Sequence, residues 1–285
     1  MSIHKLSFQL LSDIHLELSG GSFPKIPITA PYLILAGDIT NINHESFGKF
    51  FKYCNDNWNK TFYVPGNHEY YSKSNTIHKM KSNTIHEMKS NTIHEMKLKM
   101  INHFQDNQLN NIIFLDNGTY EIESNIFIIG STFWTPSPYP NNHHGSYSLN
   151  DYNMIHWEKN QTISPQNIND LANNDYTFIN EQIEKFKDKK IILLTHFPPT
   201  QNKTSHPKYI NQPELIKNYF CWPNNTIPLF NKYNNILCWI SGHTHYSYDF
   251  VENNVRLLSN QLGYRDELLN KESNFNPNTL YEIDL

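Results

Sequence analysis

Aspartate, histidine and one asparagine recur in five short polar motifs, each set directly after an apolar run. They are Asp13-Ile14-His15, Gly37-Asp38, Gly66-Asn67-His68-Glu69, Thr195-His196 and Gly242-His243-Thr244-His245. Imidazole nitrogen and carboxylate oxygen, with no thiolate, form the donor set that divalent first-row metals favour. Asp13 and His15 stand two apart beyond an apolar run, so both can turn toward one ion, and His243 and His245 repeat that spacing. Asp38, directly after a glycine, is placed to bridge two ions, and Asn67 adds a neutral oxygen that limits the negative charge. Two ions held this way polarise a phosphoryl group from two sides. They also lower the pKa of a shared water so that it attacks as hydroxide near neutral pH. A histidine left free of metal suits protonation of the leaving oxygen.

The apolar runs that carry these motifs are short enough to be buried strands. Lys5–Ser12, Tyr32–Ala36, Thr61–Val64, Lys190–Leu194 and Asn235–Ile240 are the expected strands. Strands that all end in ligand-type residues bring those residues to one sheet edge, where open α/β folds place their ligands. Phe47, Phe50 and Phe51 share a helical face over 47–57. The stretch 112–134 reads as two or three strands, with turns at Asp116-Asn117-Gly118 and Ser124-Asn125. Residues 136–165 read as a long irregular loop that forms a wall or lid over a site. A helix is expected over 166–187, with Pro165 near its start. Arg256–Ser259 and Leu280–Ile283 are expected to complete the second sheet.

Between the motifs at 66–69 and 195–196 lies an internal repeat, three near-copies of SNTIHEMK beginning at Ser74, Ser82 and Ser90. Eight residues advance an α-helix by about 80° beyond two turns, so Ile77, Ile85 and Ile93 cannot line one straight stripe. The composition still favours a helical insertion at about 74–97, partly projecting. His78, His86 and His94 read as solvated, because the second histidine of a zinc-protease helix is replaced by Ser90. His143, His144, His156 and His206 read as solvated loop residues, and Tyr70 and Tyr71 line the cleft or pack beneath the helix.

The 285 residues show no Gly/Ser-rich or Pro-rich linker, which favours a single domain over 1–285. A formal net charge of −4 disfavours broad binding of nucleic acid or an anionic membrane. Three scattered cysteines, Cys54, Cys221 and Cys238, imply no disulfide framework. Asp13 and His15 interrupt the first apolar stretch, so no signal peptide is read, and no run is long enough to span a bilayer. A soluble, cytoplasmic protein is expected.

The order Asp-x-His, Gly-Asp, Gly-Asn-His-Glu, His, Gly-His-x-His resembles the calcineurin-like metallophosphoesterase superfamily over almost the whole chain. Gly-Asn-His-Glu after an apolar strand and Gly-His-x-His are the specific elements. The segments Gly130-Ser131-Thr132-Phe133-Trp134, Asn150-Asp151-Tyr152 and Asn260-Gln261-Leu262-Gly263-Tyr264 are similar to a bacterial-type branch of small-molecule phosphoesterases. That branch usually has proline where this chain has Gln261, a departure expected to touch a loop rather than a ligand. The resemblance implies an α/β (α+β) fold of two mixed β-sheets packed as a sandwich and flanked by helices. It also implies two divalent metal ions (Mn, Fe, Zn or Ni). Asp13, His15, Asp38 and His245 would hold one, and Asp38, Asn67, His196 and His243 the other. His68 would protonate the leaving group, and Glu69 would orient a neighbouring histidine.

The implied activity is hydrolysis of a phosphomonoester or phosphodiester by a metal-bridging hydroxide. A small molecule or nucleotide is a better substrate than a protein, because arginines follow neither Asp38 nor Glu69, and His196-Phe197-Pro198 resembles phosphodiesterase branches. The alternatives are a scaffold that kept the fold without the chemistry, and a nuclease. Self-association through the repeat helix is a further contact the sequence admits.

Overall fold

The computed structural model describes residues 5–19, 26–72, 91–139, 149–209, 221–222, 234–265, 267 and 273–285. The chain begins with β1 (Lys5–Leu11), β2 (Tyr32–Ala36), α1 (Ser46–Asn57), β3 (Lys60–Val64), α2 (Ile93–Asp106) and β4 (Ile112–Phe114). It continues through β5 (Gly118–Glu123), β6 (Ile126–Ser131), α3 (Asp151–Met154), β7 (His156–Glu158), β8 (Gln161–Thr162) and α4 (Pro165–Lys185). The last elements are β9 (Lys190–Thr195), β10 (Ile236–Ile240), β11 (Tyr248–Glu252), β12 (Val255–Ser259) and β13 (Leu280–Asp284).

Two mixed sheets result, in the orders β13-β1-β2-β3-β4 and β11-β12-β10-β9-β6-β5. The strands β1 to β4 run parallel, as do β6, β9, β10 and β12, with antiparallel strands at the edges. Alternation along each strand explains the sandwich. Leu6, Phe8 and Leu10 of β1 meet Ile192 and Leu194 of β9 and Cys238 and Ile240 of β10 in one core between the sheets. The opposite faces, with Leu33, Leu35, Tyr63, Leu193, Trp239 and Leu257, pack with helix residues such as Phe50, Phe51, Ile179 and Ile183. Strands buried on both faces need continuous apolar runs, and those runs are what the sequence shows. No helix among the described residues is long and apolar enough to cross a membrane.

Four sequence expectations change, the first being that residues 136–165, read as irregular, carry α3, β7 and β8. β13 pairs with β1 at the edge of the first sheet, not with the second. Its buried Tyr281 and Ile283 alternate with exposed neighbours, and Tyr281 stacks on Phe8 at 5.8 Å. His156 is buried in β7, where it bonds Ser72. In the repeat, α2 starts inside the third copy: Thr92 and Glu95 form a capping box, and Met96, Met100 and Phe104 face the core. The first two copies, with His78 and His86, lie outside the described residues, as do His143 and His144.

Candidate metal centre

All five motifs sit just beyond the carboxyl ends of parallel strands, β1, β2 and β3 from one sheet and β9 and β10 from the other. Backbone hydrogen bonds sew these ends together. Asp13 N–H donates to Gly37 O at 3.0 Å, His15 N–H to Asp38 O at 3.1 Å, and Gly242 N–H to His196 O at 2.9 Å. Asp13, His15, Asp38, His243 and His245 hold φ at 54°, 47°, 51°, 75° and 54°. Left-handed backbone at non-glycine residues is uncommon and costs free energy, and it gathers at functional sites. The motif glycines have a different role. A β-carbon at Gly66 would overlap the Asp38 carboxylate, and one at Gly242 would overlap Ser12 and Asp13, so both positions require bare backbone.

Three overlapping groups of donor atoms form within this edge among the described residues: Asp13/His15/His245, His15/Asp38/His68 and Asp38/His196/His243. In the third, His196 donates through Nδ1 to Ala36 O at 2.8 Å, which leaves a lone pair on Nε2. That lone pair faces Asn67 Oδ1 at 3.1 Å, His243 Nδ1 at 3.1 Å and an Asp38 oxygen at 3.5 Å. Asn67 is turned with its oxygen inward because its amide nitrogen donates to Asp151 at 2.8 Å. In the first group, Nδ1 of His15 is 3.2 Å from Glu17 and Nδ1 of His245 is 2.6 Å from Glu267. Their Nε2 atoms face each other at 3.1 Å, and that of His245 is 3.5 Å from Asp13. Lone pairs converging on one another, with His196, His15 and His245 fixed from behind by a carbonyl or carboxylate, suit cations. The residues therefore fit divalent metal.

His68 differs from the others. Its Nδ1 lies 3.1 Å from Glu17 and its Nε2 3.3 Å from the Tyr264 hydroxyl, so both ring nitrogens are engaged. Burial opposes charge on His68, but the Asp38 and Glu17 carboxylates outweigh it and raise its pKa to about 9. Despite burial, the hydrogen bonds from His15 and His68 hold Glu17 at about 2. Glu69, expected to orient a histidine, directs its hydrogen bonds to backbone instead. It accepts from Asp38 N–H and Gly66 N–H at 3.0 and 2.7 Å, and from Ile39 N–H and Thr40 N–H at 2.7 and 3.4 Å. Burial and the charge of Asp38 push Glu69 up to about 7 against those bonds.

The motif list misses the carboxylates that hold the imidazoles. Glu17 extends the first motif to Asp-x-His-x-Glu, a spacing that could have revealed it. Asp151 lies in a recognised segment without a stated task, and it accepts from both Asn67 and Tyr71. Glu267 carries no local signal, since only folding brings it to His245. Gln261 does reach a motif residue, because its Oε1 accepts from His245 N–H at 2.5 Å and its amide donates to Tyr246 O at 2.9 Å. A cavity of about 310 Å³ opens over the centre, lined by Tyr71, Asp151, Tyr209, Tyr264 and Glu267 beside Asp38, Asn67, His68, His243 and His245. Tyr70 points elsewhere and donates to Asp116 at 3.0 Å.

The sequence model of the calcineurin-like phosphoesterases matches residues 8–247. The chain belongs to that family. Protein L509 of Acanthamoeba polyphaga mimivirus, itself uncharacterised, is 32% identical over 293 residues, which span 96% of this chain and 95% of L509. The crystal structure of phosphopantetheinyl hydrolase PptH from Mycobacterium tuberculosis superposes with a TM-score of 0.64 at 16% identity, over 94% of this chain and 93% of PptH. That likeness is one of fold. As a member of the family with this His/Asp centre, the chain is a metallophosphoesterase that hydrolyses phosphoester bonds with divalent metal.

Proposed function

We propose that the chain, acting as one domain in the cytoplasm, hydrolyses small-molecule or nucleotide phosphoesters, diesters ahead of monoesters, with two divalent ions. Asp13, His15, Asp38 and His245 hold one ion in this reading, and Asp38, Asn67, His196 and His243 the other. The observation that carries it is the place of Asp38, 3.8 Å from His15 Nε2 on one side and 3.5 Å from His196 Nε2 on the other. Its own N–H and that of Ile39 are held by Glu69, and its carboxylate accepts from His68 N–H at 2.9 Å. Mn, Fe, Zn and Ni all accept such an oxygen and nitrogen set. When bound, the ions supply charge neutralisation at the phosphoryl oxygens and an acidified water.

The chain's own residues supply the rest. His68, held by Glu17 and assigned to neither ion's ligand set in this reading, protonates the departing oxygen. Asp151 keeps Asn67 oxygen-inward, and Glu267 and Glu17 keep the Nε2 lone pairs of His245 and His15 aimed inward. The cavity admits a small ligand, near the lower end of ordinary pocket volumes. Among the described residues no Lys or Arg lines it, which supports a substrate of low charge over nucleic acid. A metal-loaded activity screen over alkyl and aryl monoesters, diesters, cyclic nucleotides and single-stranded DNA tests the reading. Highest kcat/KM on small diesters is expected, and preference for DNA or for phosphopeptides would overturn it.

A further inference from the structure

Tyr264 is a large residue partly open to solvent in a segment that otherwise serves the fold, at 38% exposure. Three observations fix it over the centre. Its backbone N–H donates to Glu267 Oε2 at 2.8 Å, the same carboxylate oxygen that meets His245 Nδ1. Its ring packs on His15 and His245 with centroids 4.8 and 4.4 Å away. Its hydroxyl then reaches 3.3 Å from His68 Nε2, at the wall of the cavity. Gly263 permits the approach: it has φ +75°, and a β-carbon there would press on the His245 ring.

We propose that Tyr264 is a catalytic residue that grips the leaving-group oxygen together with His68. The inference rests on the reading of His68 as the acid. Where no Lys or Arg of the described residues lines the cavity, a phenol beside the acid is the neutral donor placed to stabilise charge on the departing oxygen. As the P–O bond breaks, its electron pair passes to the leaving oxygen, which takes the His68 Nε2 proton. Tyr264 donates a hydrogen bond to that oxygen and keeps its own proton. Water provides the oxygen that enters at phosphorus, and the proton it sheds returns to His68 through solvent. Substrate binding thus replaces the Tyr264–His68 hydrogen bond with two bonds to one oxygen.

The test compares wild type, Tyr264→Phe and His68→Ala as full-length, metal-reconstituted proteins. The substrates are methyl 4-nitrophenyl phosphate and methyl phenyl phosphate, which differ in leaving-group basicity. Tyr264→Phe keeps the ring and removes one hydrogen bond. The ratio of kcat on the phenyl ester to kcat on the nitrophenyl ester should fall about tenfold, the worth of one such bond. KM and metal content by mass spectrometry should stay within about twofold of wild type. An unchanged ratio, or equal loss on both esters accompanied by loss of metal, overturns the proposal and leaves Tyr264 as packing for His15 and His245. His68→Ala separates the two levels. If it loses more on the phenyl ester while Tyr264→Phe does not, the inference fails alone. A flat response of His68→Ala means the reading beneath it has failed.

Discussion

Glu69→Gln separates a structural clamp from a residue of the chemistry. The Glu69 carboxylate is fully buried and accepts from four backbone N–H groups, two on each oxygen. A glutamine offers one acceptor oxygen, so its NH2 faces either the Asp38/Gly66 pair or the Ile39/Thr40 pair. In both orientations a 2.7 Å bond is lost and two buried donors are set against another donor. Each buried unsatisfied group costs about 1–3 kcal/mol, so the substitution should cost about 2–6 kcal/mol. That is a large share of the ~5–15 kcal/mol typical of a whole domain. Urea unfolding at pH 8 in chelator reads it as a lower midpoint at unchanged slope. Because Glu69 holds the Asp38 main chain, metal should also bind at least about tenfold more weakly. A stability loss under about 0.5 kcal/mol with wild-type metal affinity would refute the clamp.

Removing the carboxylate behind Asn67 with Asp151→Leu frees its amide to rotate, and metal affinity should fall by about 10–100-fold in a chelator competition titration. Wild-type affinity would show that Asp151 does not set the amide. Asp175, buried on α4 and accepting from Trp134 N–H and Asn117, is pushed up to about 7 by burial and by the charge of Asp116. The native state therefore keeps a proton that the unfolded chain loses above its ordinary pKa near 4. Stability should fall as pH rises between about 4 and 7, on the order of 4 kcal/mol in total. Urea titrations at pH 5 and pH 8 should show a smaller loss of stability in Asp175→Asn than in wild type, and parallel curves would contradict it. Tyr71 and Thr92, which flank the first two copies of the repeat in the sequence, rest on the adjacent residues Ile155 and His156. Deleting residues 74–81 should therefore keep kcat/KM within about twofold, and a collapse of activity would tie the repeat to the cleft.

The expected strands β1, β2, β3, β9 and β10 were legible because strands buried on both faces require unbroken apolar runs. The polar residues that interrupt those runs mark the edge where ligands gather. The two-sheet sandwich itself came from family resemblance, since periodicity carries no information on which strands share a sheet. The misplacement of β13 shows this: its alternation signals an edge strand and says nothing of the partner. Glu267 and Asp151 were invisible as holders of His245 and Asn67 because their contacts span 22 and 84 residues. Gln261 looked like a loop change because its hydrogen bonds to the 244–246 turn form only on folding.

The shared position of Asp38 is tested most directly by one titration. Chelator-stripped protein is titrated with Mn²⁺ while turnover of bis(4-nitrophenyl) phosphate is followed, in wild type and Asp38→Ala. Wild type should be inactive without metal and reach its plateau at two equivalents, and Asp38→Ala should show no rise of comparable size. Turnover that persists in chelator, or an Asp38→Ala plateau equal to wild type, would contradict a metal centre organised around Asp38.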